Sequence, residues 1–440
     1  MKFLTQGEKL KKLRIELNLR QKDLADENVT REFISMVEKE KRNFSRQNAI
    51  SVMRRILSIA AEKGIELNLD EEYIYRDIKQ DAERYCIQRV EDNASLEECE
   101  ELLKISDDYN VPYAKYKVYK RMGDLVLFNQ EPIKAFIYYS EAMEILNLNN
   151  YLQERPSIFN NMGVCKLKLI QYEEAILYFT NALYISELDD SYGIYNRVAV
   201  NLSLAYINIG KIEECLSIIE EFSTKIDKDK ENIIYIKMEL LRANCYEYKK
   251  DYEKCLGIYW DLLDGLDINN IFQGEVNKEY GNLLGIIYNN MANVLLIQEK
   301  YDESEIYFDK SYDVRINYDI EWLSHSLIEK SRLYIKWLEY DKAEEVIYKG
   351  IELCKKYNDY EYWLIALKEL EKIYSYNKNY EELINVYTDL IKLSDKNEIE
   401  KHKVYALNKL IKLEVSLNNM EKVQYYSNKL DKYIELMNKV

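Results

Sequence analysis

Residues 161–182 read NMGVCKLKLIQYEEAILYFTNA, and three small residues in this stretch set the architecture. Gly163 is followed twelve positions later by Ala175, and seven positions after that by Ala182. The twelve-residue interval recurs on both sides, pairing Gly123 with Ala135, Ser203 with Cys215, Ala243 with Cys255, Ala292 with Ser304, and Ser331 with Ala343. The third member returns at Ala142, Ser311 and Gly350. Only small side chains let two antiparallel helices come close. Larger residues then fill the remaining contacts: Tyr172 and Phe179, Tyr252 and Tyr259, Tyr301 and Phe308, Tyr340 and Ile347, Tyr380 and Tyr387. The second small positions fall at 135, 175, 215, 255, 304, 343, 383 and 423, so the step is mostly 40. A fixed period of this size marks stacked helix pairs, which bury a continuous core and leave a groove.

Leu96-Glu97-Glu98-Cys99 echoes Ile212-Glu213-Glu214-Cys215, adding an earlier unit and giving about nine pairs. The one 49-residue step contains IFQGEVNKEYGNLLG (271–285), where an enlarged loop is expected. Glu371 and Ile411 stand where the last two units should have a small residue, as capping or dimer-forming repeats would.

Composition agrees with an all-α chain. At 440 residues it exceeds one compact core, and 3 prolines with 12 glycines leave few punctuators for an all-β fold. The 41 tyrosines supply amphipathic rings for packing and groove lining. No apolar run reaches 18 residues, and the opening MKFLTQGEKLKK has no stretch of signal-peptide length, so a cytoplasmic chain without a membrane partner is expected. The seven cysteines are scattered without a CxxC pair, and Cys215 and Cys255 occupy the small-residue position, which predicts buried small hydrophobes. Charge is split. Residues 1–65 carry 15 Lys+Arg against 9 Asp+Glu, a balance of +6, so the rest of a chain of net charge −16 carries −22. A basic module on an acidic body points to nucleic acid at one end.

Within the basic module (1–65), residues 6–18 place Leu10, Leu13 and Leu17 on one helical face. A second short helix is expected over Leu19–Ala25, then a turn in which Asn28 takes a left-handed conformation above Val29. Thr30 is a good N-cap for a helix from Arg31 to Glu38, with Phe33, Ile34 and Val37 buried. Ser45 caps another amphipathic helix over 46–61. Residues 62–78 read as a turn and a connecting helix, with 66–80 as the connecting segment and 81–440 as the repeat domain.

The module resembles the lambda-repressor-like helix-turn-helix class. The matching positions are Gly7, Leu10, Leu13-Arg14, Leu19, Gln21, Leu24-Ala25, Val29-Thr30, Ile34-Ser35, Glu38 and Lys41-Arg42-Asn43. Two departures stand out: the usual turn glycine is absent, and Glu40 replaces the glycine after the recognition helix. The resemblance implies that the helix capped by Thr30 enters the major groove by its N-terminal end. Arg31, Glu32 and Ser35 would then face base edges, with Arg31 donating to guanine and Glu32 accepting from cytosine. Gln21, Lys39, Lys41, Arg42 and Asn43 would hold phosphates. One such domain buries little surface, so a homodimer on a palindromic operator in double-stranded DNA is implied.

The array is similar to the tetratricopeptide repeat, whose usual unit is 34 residues; longer helices would explain 40. That likeness implies a right-handed superhelix whose concave face is lined by the first helix of each pair. These helices carry Asn160, Asn161, Arg197, Asn201, Asn208, Asn244, Asn289, Asn290, Asn293 and Arg332. An asparagine donates to a carbonyl and accepts from an N–H, which suits an extended peptide, and Arg197 or Arg332 suits a terminal carboxylate. Asn161, Asn201 and Asn290 also share one repeat register, so hydrogen bonding between helices is an equal reading of them.

Nothing points to catalysis, a metal or a cofactor. There are two histidines, His325 and His402, and no phosphate-binding or dinucleotide glycine loop. The glycine pair in GNLLG (281–285) stands alone. As a whole the chain resembles the peptide-sensing transcription regulators of Gram-positive bacteria called the RRNPP group. The resemblance implies a dimeric regulator whose DNA affinity is set by a short signalling oligopeptide. A repeat scaffold docking a partner such as a response regulator, and a ligand-independent repressor, are the other readings open at this point.

Overall fold

The computed structural model describes residues 1–188, 192–228, 230–265, 278–396 and 400–437. Every regular element among them is helical. The N-terminal region holds α1 (Gln6–Glu16), a single 3₁₀ turn (Gln21–Leu24), α2 (Arg31–Glu38) and α3 (Arg46–Glu62). Nine successive pairs follow among the described residues. The first five are α4 (Ile78–Glu91) with α5 (Leu96–Asp108), α6 (Pro112–Phe128) with α7 (Pro132–Leu148), α8 (Arg155–Lys168) with α9 (Tyr172–Leu188), α10 (Tyr192–Asn208) with α11 (Ile212–Lys225), and α12 (Asn232–Tyr248) with α13 (Tyr252–Gly265). The last four are α14 (Lys278–Ile297) with α15 (Tyr301–Tyr318), α16 (Leu323–Lys336) with α17 (Tyr340–Tyr357), α18 (Tyr360–Tyr376) with α19 (Tyr380–Lys396), and α20 (Glu400–Ser416) with α21 (Met420–Met437). The chain divides into two compact units, Met1–Ile218 and Ile219–Val440.

The small-residue register has a direct physical basis. Sixteen positions after each first small residue lies a fully buried large one: Tyr139, Phe179, Ile219, Tyr259, Phe308 and Ile347. A Cβ added at Gly123 would sit 2.5 Å from the Tyr139 ring, and one at Gly163 2.5 Å from Phe179. The residues twelve apart touch as well, since Ser304 Oγ donates to the Ala292 carbonyl at 2.8 Å. Where Glu371 replaces the small residue, the ring partner adapts. Tyr387 donates its hydroxyl to Glu371 at 2.9 Å, and Tyr405 and Lys409 donate at 2.9 Å each. The buried carboxylate is thereby satisfied, as its burial requires.

The turn inside each pair is equally regular. Seven positions after the register residue the backbone is left-handed, at Gln130, Ile170, Gly210, Lys250, Glu299, Leu338, Lys378 and Asn418. Only Gly210 avoids the Cβ clash this conformation imposes. Ile170 is the extreme case, a β-branched residue at φ 61°, exposed to 71%. Ile170→Gly is therefore expected to raise stability by about 1 kcal/mol, which urea denaturation of the two proteins would measure; an unchanged or lower midpoint would contradict the strain.

The basic module packs as a core around Leu10, Leu13, Leu24, Val29, Ile34, Val37, Ala49, Val52, Met53 and Ile56. Three local expectations change. The second helix is one 3₁₀ turn, Gln21–Leu24. Asn28 is not left-handed; Asn18 and Glu40 are, at φ 53° and 57°. The turn before α2 is built instead by Asp26, which accepts from the N–H groups of Asn28 (2.8 Å) and Val29 (2.7 Å) and is held by Arg55 at 2.5 Å. Glu40 keeps the glycine conformation without a glycine, and its carboxylate accepts from Thr5 Oγ at 2.6 Å. Residues 65–77 form turns and no helix, and Ile74 joins the core of the module. Of the segment expected to hold an enlarged loop, residues 278–285 are helical in α14, and 271–277 lie outside the described residues. All seven cysteines are buried.

Candidate functional site

Two regions hold the residues read from the sequence. In the basic module, Gly7 lets α1 lie against the end of α2: a Cβ there would meet the Val37 carbonyl oxygen at 2.3 Å. Beside that crossing, Arg14 grips Glu38 with two hydrogen bonds (2.6 and 3.1 Å) and donates to the Leu19 carbonyl at 3.0 Å. The bidentate contact raises the Arg14 pKa and fixes α2 against α1. Gln21 donates its amide to the same Glu38 at 2.7 Å, so its side chain is already engaged inside the protein.

With Ile34 and Val37 buried, the first turn of α2 faces outward. Thr30 caps it, its hydroxyl accepting from the Phe33 N–H at 3.3 Å. Arg31 and Glu32 are exposed and Ser35 is half-buried. Lys39, Lys41, Arg42 and Asn43 are exposed just beyond the helix. The arrangement leaves one helix end and four polar side chains toward solvent, which can engage an anionic duplex. Two arginines of α3 are committed elsewhere: Arg46 pairs with Glu72, and Arg54 with Glu71 at 2.8 Å.

The second region follows from one contact that recurs at three junctions between first helices. The residue one after the small position of a first helix reaches the residue two before the small position of the next first helix. In the first unit Asn161 donates to Asp124 at 3.2 Å. In the second unit Asn293 donates to Glu329, and Arg332 donates to Glu369 at 3.1 Å. Further bonds thicken this ladder. Asn201 donates to Asn160 at 2.9 Å, Asn160 lies 3.4 Å from Asn161, and Tyr139 donates to Asp124 at 2.7 Å. Asn289 (2.7 Å) and Tyr362 (2.7 Å) both donate to Glu329.

The ladder sorts the candidates. Asn160, Asn161 and Asn201 meet in the first unit; in the second, Asn289 and Asn293 meet at Glu329, and Arg332 is held separately by Glu369. Arg197 is exposed one turn before Asn201, and Asn244 is half-buried with no ladder bond among the described residues. Glu329, Glu369, Tyr362 and Asp124 hold the ladder together and were not among the candidates read from the sequence. For Glu329 and Glu369 the signal was present, because they share the register of Asn161, Asn201 and Asn290.

Arg315 was missed as well. It is 3% exposed, passes under α14 at Gly285, and donates to the Trp322 carbonyl at 2.5 Å. Burial pulls its pKa down, opposed by the nearby Glu329. The glycine pair in GNLLG is thereby explained: a Cβ at Gly285 would lie 2.9 Å from Arg315 Cγ, and one at Gly281 2.6 Å from Tyr318 Cβ. His325 stacks on Tyr362 at 3.3 Å and shares a hydrogen bond with Asp359 at 2.7 Å. No helix among the described residues is long and apolar enough to cross a membrane.

No protein-family model matches the chain, and no curated protein matches it in sequence. Among solved structures it is similar to a signal-transduction ATPase with numerous domains and a tetratricopeptide-repeat sensor from Pyrococcus horikoshii. That match has TM-score 0.50 and 14% identity, and covers 99% of this chain and 64% of the other. It is also similar to the apo quorum sensor NprR from B. thuringiensis, with TM-score 0.48 and 15% identity over 81% of this chain and 100% of that one. A third similar structure is PlcR from Bacillus thuringiensis in complex with the peptide PapR7 and DNA, with TM-score 0.35 and 14% identity over 85% and 98%. At such identities the likeness to the Pyrococcus protein speaks to the fold alone: an all-α array of the tetratricopeptide kind.

Proposed function

We propose that this protein is a DNA-binding transcription regulator, acting as a homodimer, whose repeat region takes a short signalling peptide that changes its affinity for DNA. The observation that carries the reading is α2, buried on one side by Ile34 and Val37 and presenting Arg31 and Glu32 on an exposed first turn. A guanidinium at that place can pair with two acceptors of guanine, while Lys39, Lys41, Arg42 and Asn43 neutralise phosphates. The peptide reading is supported by Arg197, exposed, and Asn244, half-buried, which lie on successive first helices outside the ladder bonds and can serve a carboxylate and a peptide group. A ligand bonded to several rungs would favour one curvature of a stack whose members contact only their neighbours. It must bind the two curvatures unequally to switch anything.

Band-shift titration against the chain's own promoter tests the first half. Arg31→Ala should relax sequence preference at a cost of about 1–3 kcal/mol, whereas Lys41→Ala should weaken all sequences and lower the salt slope by about 1. If neither variant differs from the parent, the groove assignment is wrong. Calorimetry with the tail peptide of a short secreted reading frame beside the gene tests the second half. Arg197→Ala is the informative variant there, because it is exposed and holds no ladder bond among the described residues, so lost affinity would not come from a loosened array. No heat at high micromolar peptide sinks that half.

A further inference from the structure

The second unit contains a cavity of about 290 Å³ between α12 and α13, lined by Lys228, Tyr235, Glu239, Arg242, Asp261 and Leu262 among others. None of the ladder residues is among its lining residues. Arg242 and Asn244 are two residues apart on α12, about 200° around a helix of 3.6 residues per turn.

The lining breaks the repeat. Glu239 stands four residues before the small Ala243, where the other units have Tyr119, Phe159, Ala199, Tyr288, Leu327 and Leu367. Arg242 stands one before it, where most units have methionine or leucine: Met122, Met162, Leu202, Met291 and Leu370. A carboxylate and a guanidinium at positions that most units use for apolar packing cost stability, and such departures concentrate at functional places. Glu239 is 6% exposed, and burial pushes its pKa up. Its Oε2 lies 3.2 Å from Arg242 Nη1, while Arg242 Nη2 donates to Ser223 Oγ at 2.8 Å. Lys228 sits over the Tyr235 ring at 4.5 Å, and Asp261 is exposed at the rim.

We infer that this cavity binds a small zwitterion of the free amino-acid class. Its ammonium group meets Glu239 and Asp261, and its carboxylate meets Arg242 and Lys228. The charges of the lining sum to zero, so a ligand with a single charge would leave one lining charge of the same sign unpaired, whereas a zwitterion leaves none. Glu239 and Arg242 lie one helical turn apart, which suits an amine and a carboxylate on a common carbon.

The test is calorimetry and thermal melting of the full chain with each of the proteinogenic amino acids, with butylamine and butyrate as single-charge controls. At least one amino acid should bind, and neither control should. Glu239→Gln and Arg242→Gln should weaken binding about tenfold or more. Asp261→Asn, at an exposed position that leaves folding intact, should weaken it severalfold. The inference is overturned if no amino acid binds at about 10 mM, a concentration that would reveal even millimolar affinity. It is equally overturned if butylamine binds as tightly as the best amino acid, or if Asp261→Asn and Glu239→Gln both keep full affinity while folded.

Discussion

Lys9→Ala is expected to lower the stability of the N-terminal region by about 3–5 kcal/mol, the usual cost of breaking a buried pair from one side. Lys9 is 1% exposed on α1. Its ammonium donates to the carbonyls of Tyr73 (2.9 Å) and Arg76 (2.8 Å) and pairs with Asp81 of α4. All three protons of the ammonium are thereby used. The Tyr73 ring lies 5.0 Å from the same nitrogen, and Arg76 also pairs with Asp81 at 2.9 Å. Removing Lys9 strands two part-buried carbonyls and leaves Asp81 with Arg76 alone. Burial already holds the Lys9 pKa below its ordinary value against the pull of Asp81. Lys9→Met, which keeps the stem but not the charge, is expected to recover part of the lost packing. The measurement is a chemical-denaturation curve for each protein with DNA binding followed in parallel. An unfolding free energy within about 0.5 kcal/mol of the parent for Lys9→Ala, the range of an ordinary surface change, would show that this contact does not fix the module to α4.

Glu329→Ala is expected to cost about 2–4 kcal/mol, because three donors lose one charged acceptor at once. Asn289, Asn293 and Tyr362 all converge on this carboxylate from α14 and α18. Its loss also removes the nearby negative charge that favours the buried Arg315. Glu329→Gln keeps the shape and two oxygen lone pairs but brings donors of its own, so its cost should fall between Ala and the parent. Thermal melting of the three proteins ranks them. Equal melting temperatures would mean that the ladder adds nothing to the second unit. A further contrast separates structure from recognition: Glu329→Ala should lower stability and peptide affinity together, whereas Arg197→Ala should lower affinity alone.

These expectations rest on contacts of two kinds, and the sequence exposed them unequally. The pairing of small residues twelve apart was legible because it is periodic. Only a close helix crossing demands Gly123, Gly163, Ala243 and Ala292 at one interval, and the rings of Tyr139 and Phe179 occupy the space a Cβ would need. The caps Thr30 and Ser45 were legible because capping depends on a few neighbouring residues. The asparagine register was legible too, but two explanations of it, ligand contact and bonding between helices, have the same sequence signature.

Chain order alone established an all-α array of about nine pairs behind a basic module, since periodic patterns and local charge need no knowledge of distance. Tertiary structure alone decided which polar side chains are already spent. Gln21 turns inward to Glu38, Asn161 to Asp124 and Arg332 to Glu369, whereas Arg31 and Arg197 remain exposed. It also decided that Asp26, and not a left-handed Asn28, makes the turn, and that Lys9 is a core residue. For Gln21, Asn161, Arg332 and Lys9 the physical reason is the same: hydrogen bonds and ion pairs have ranges of about 3 Å and here join residues 17 to 72 positions apart, which no local pattern encodes.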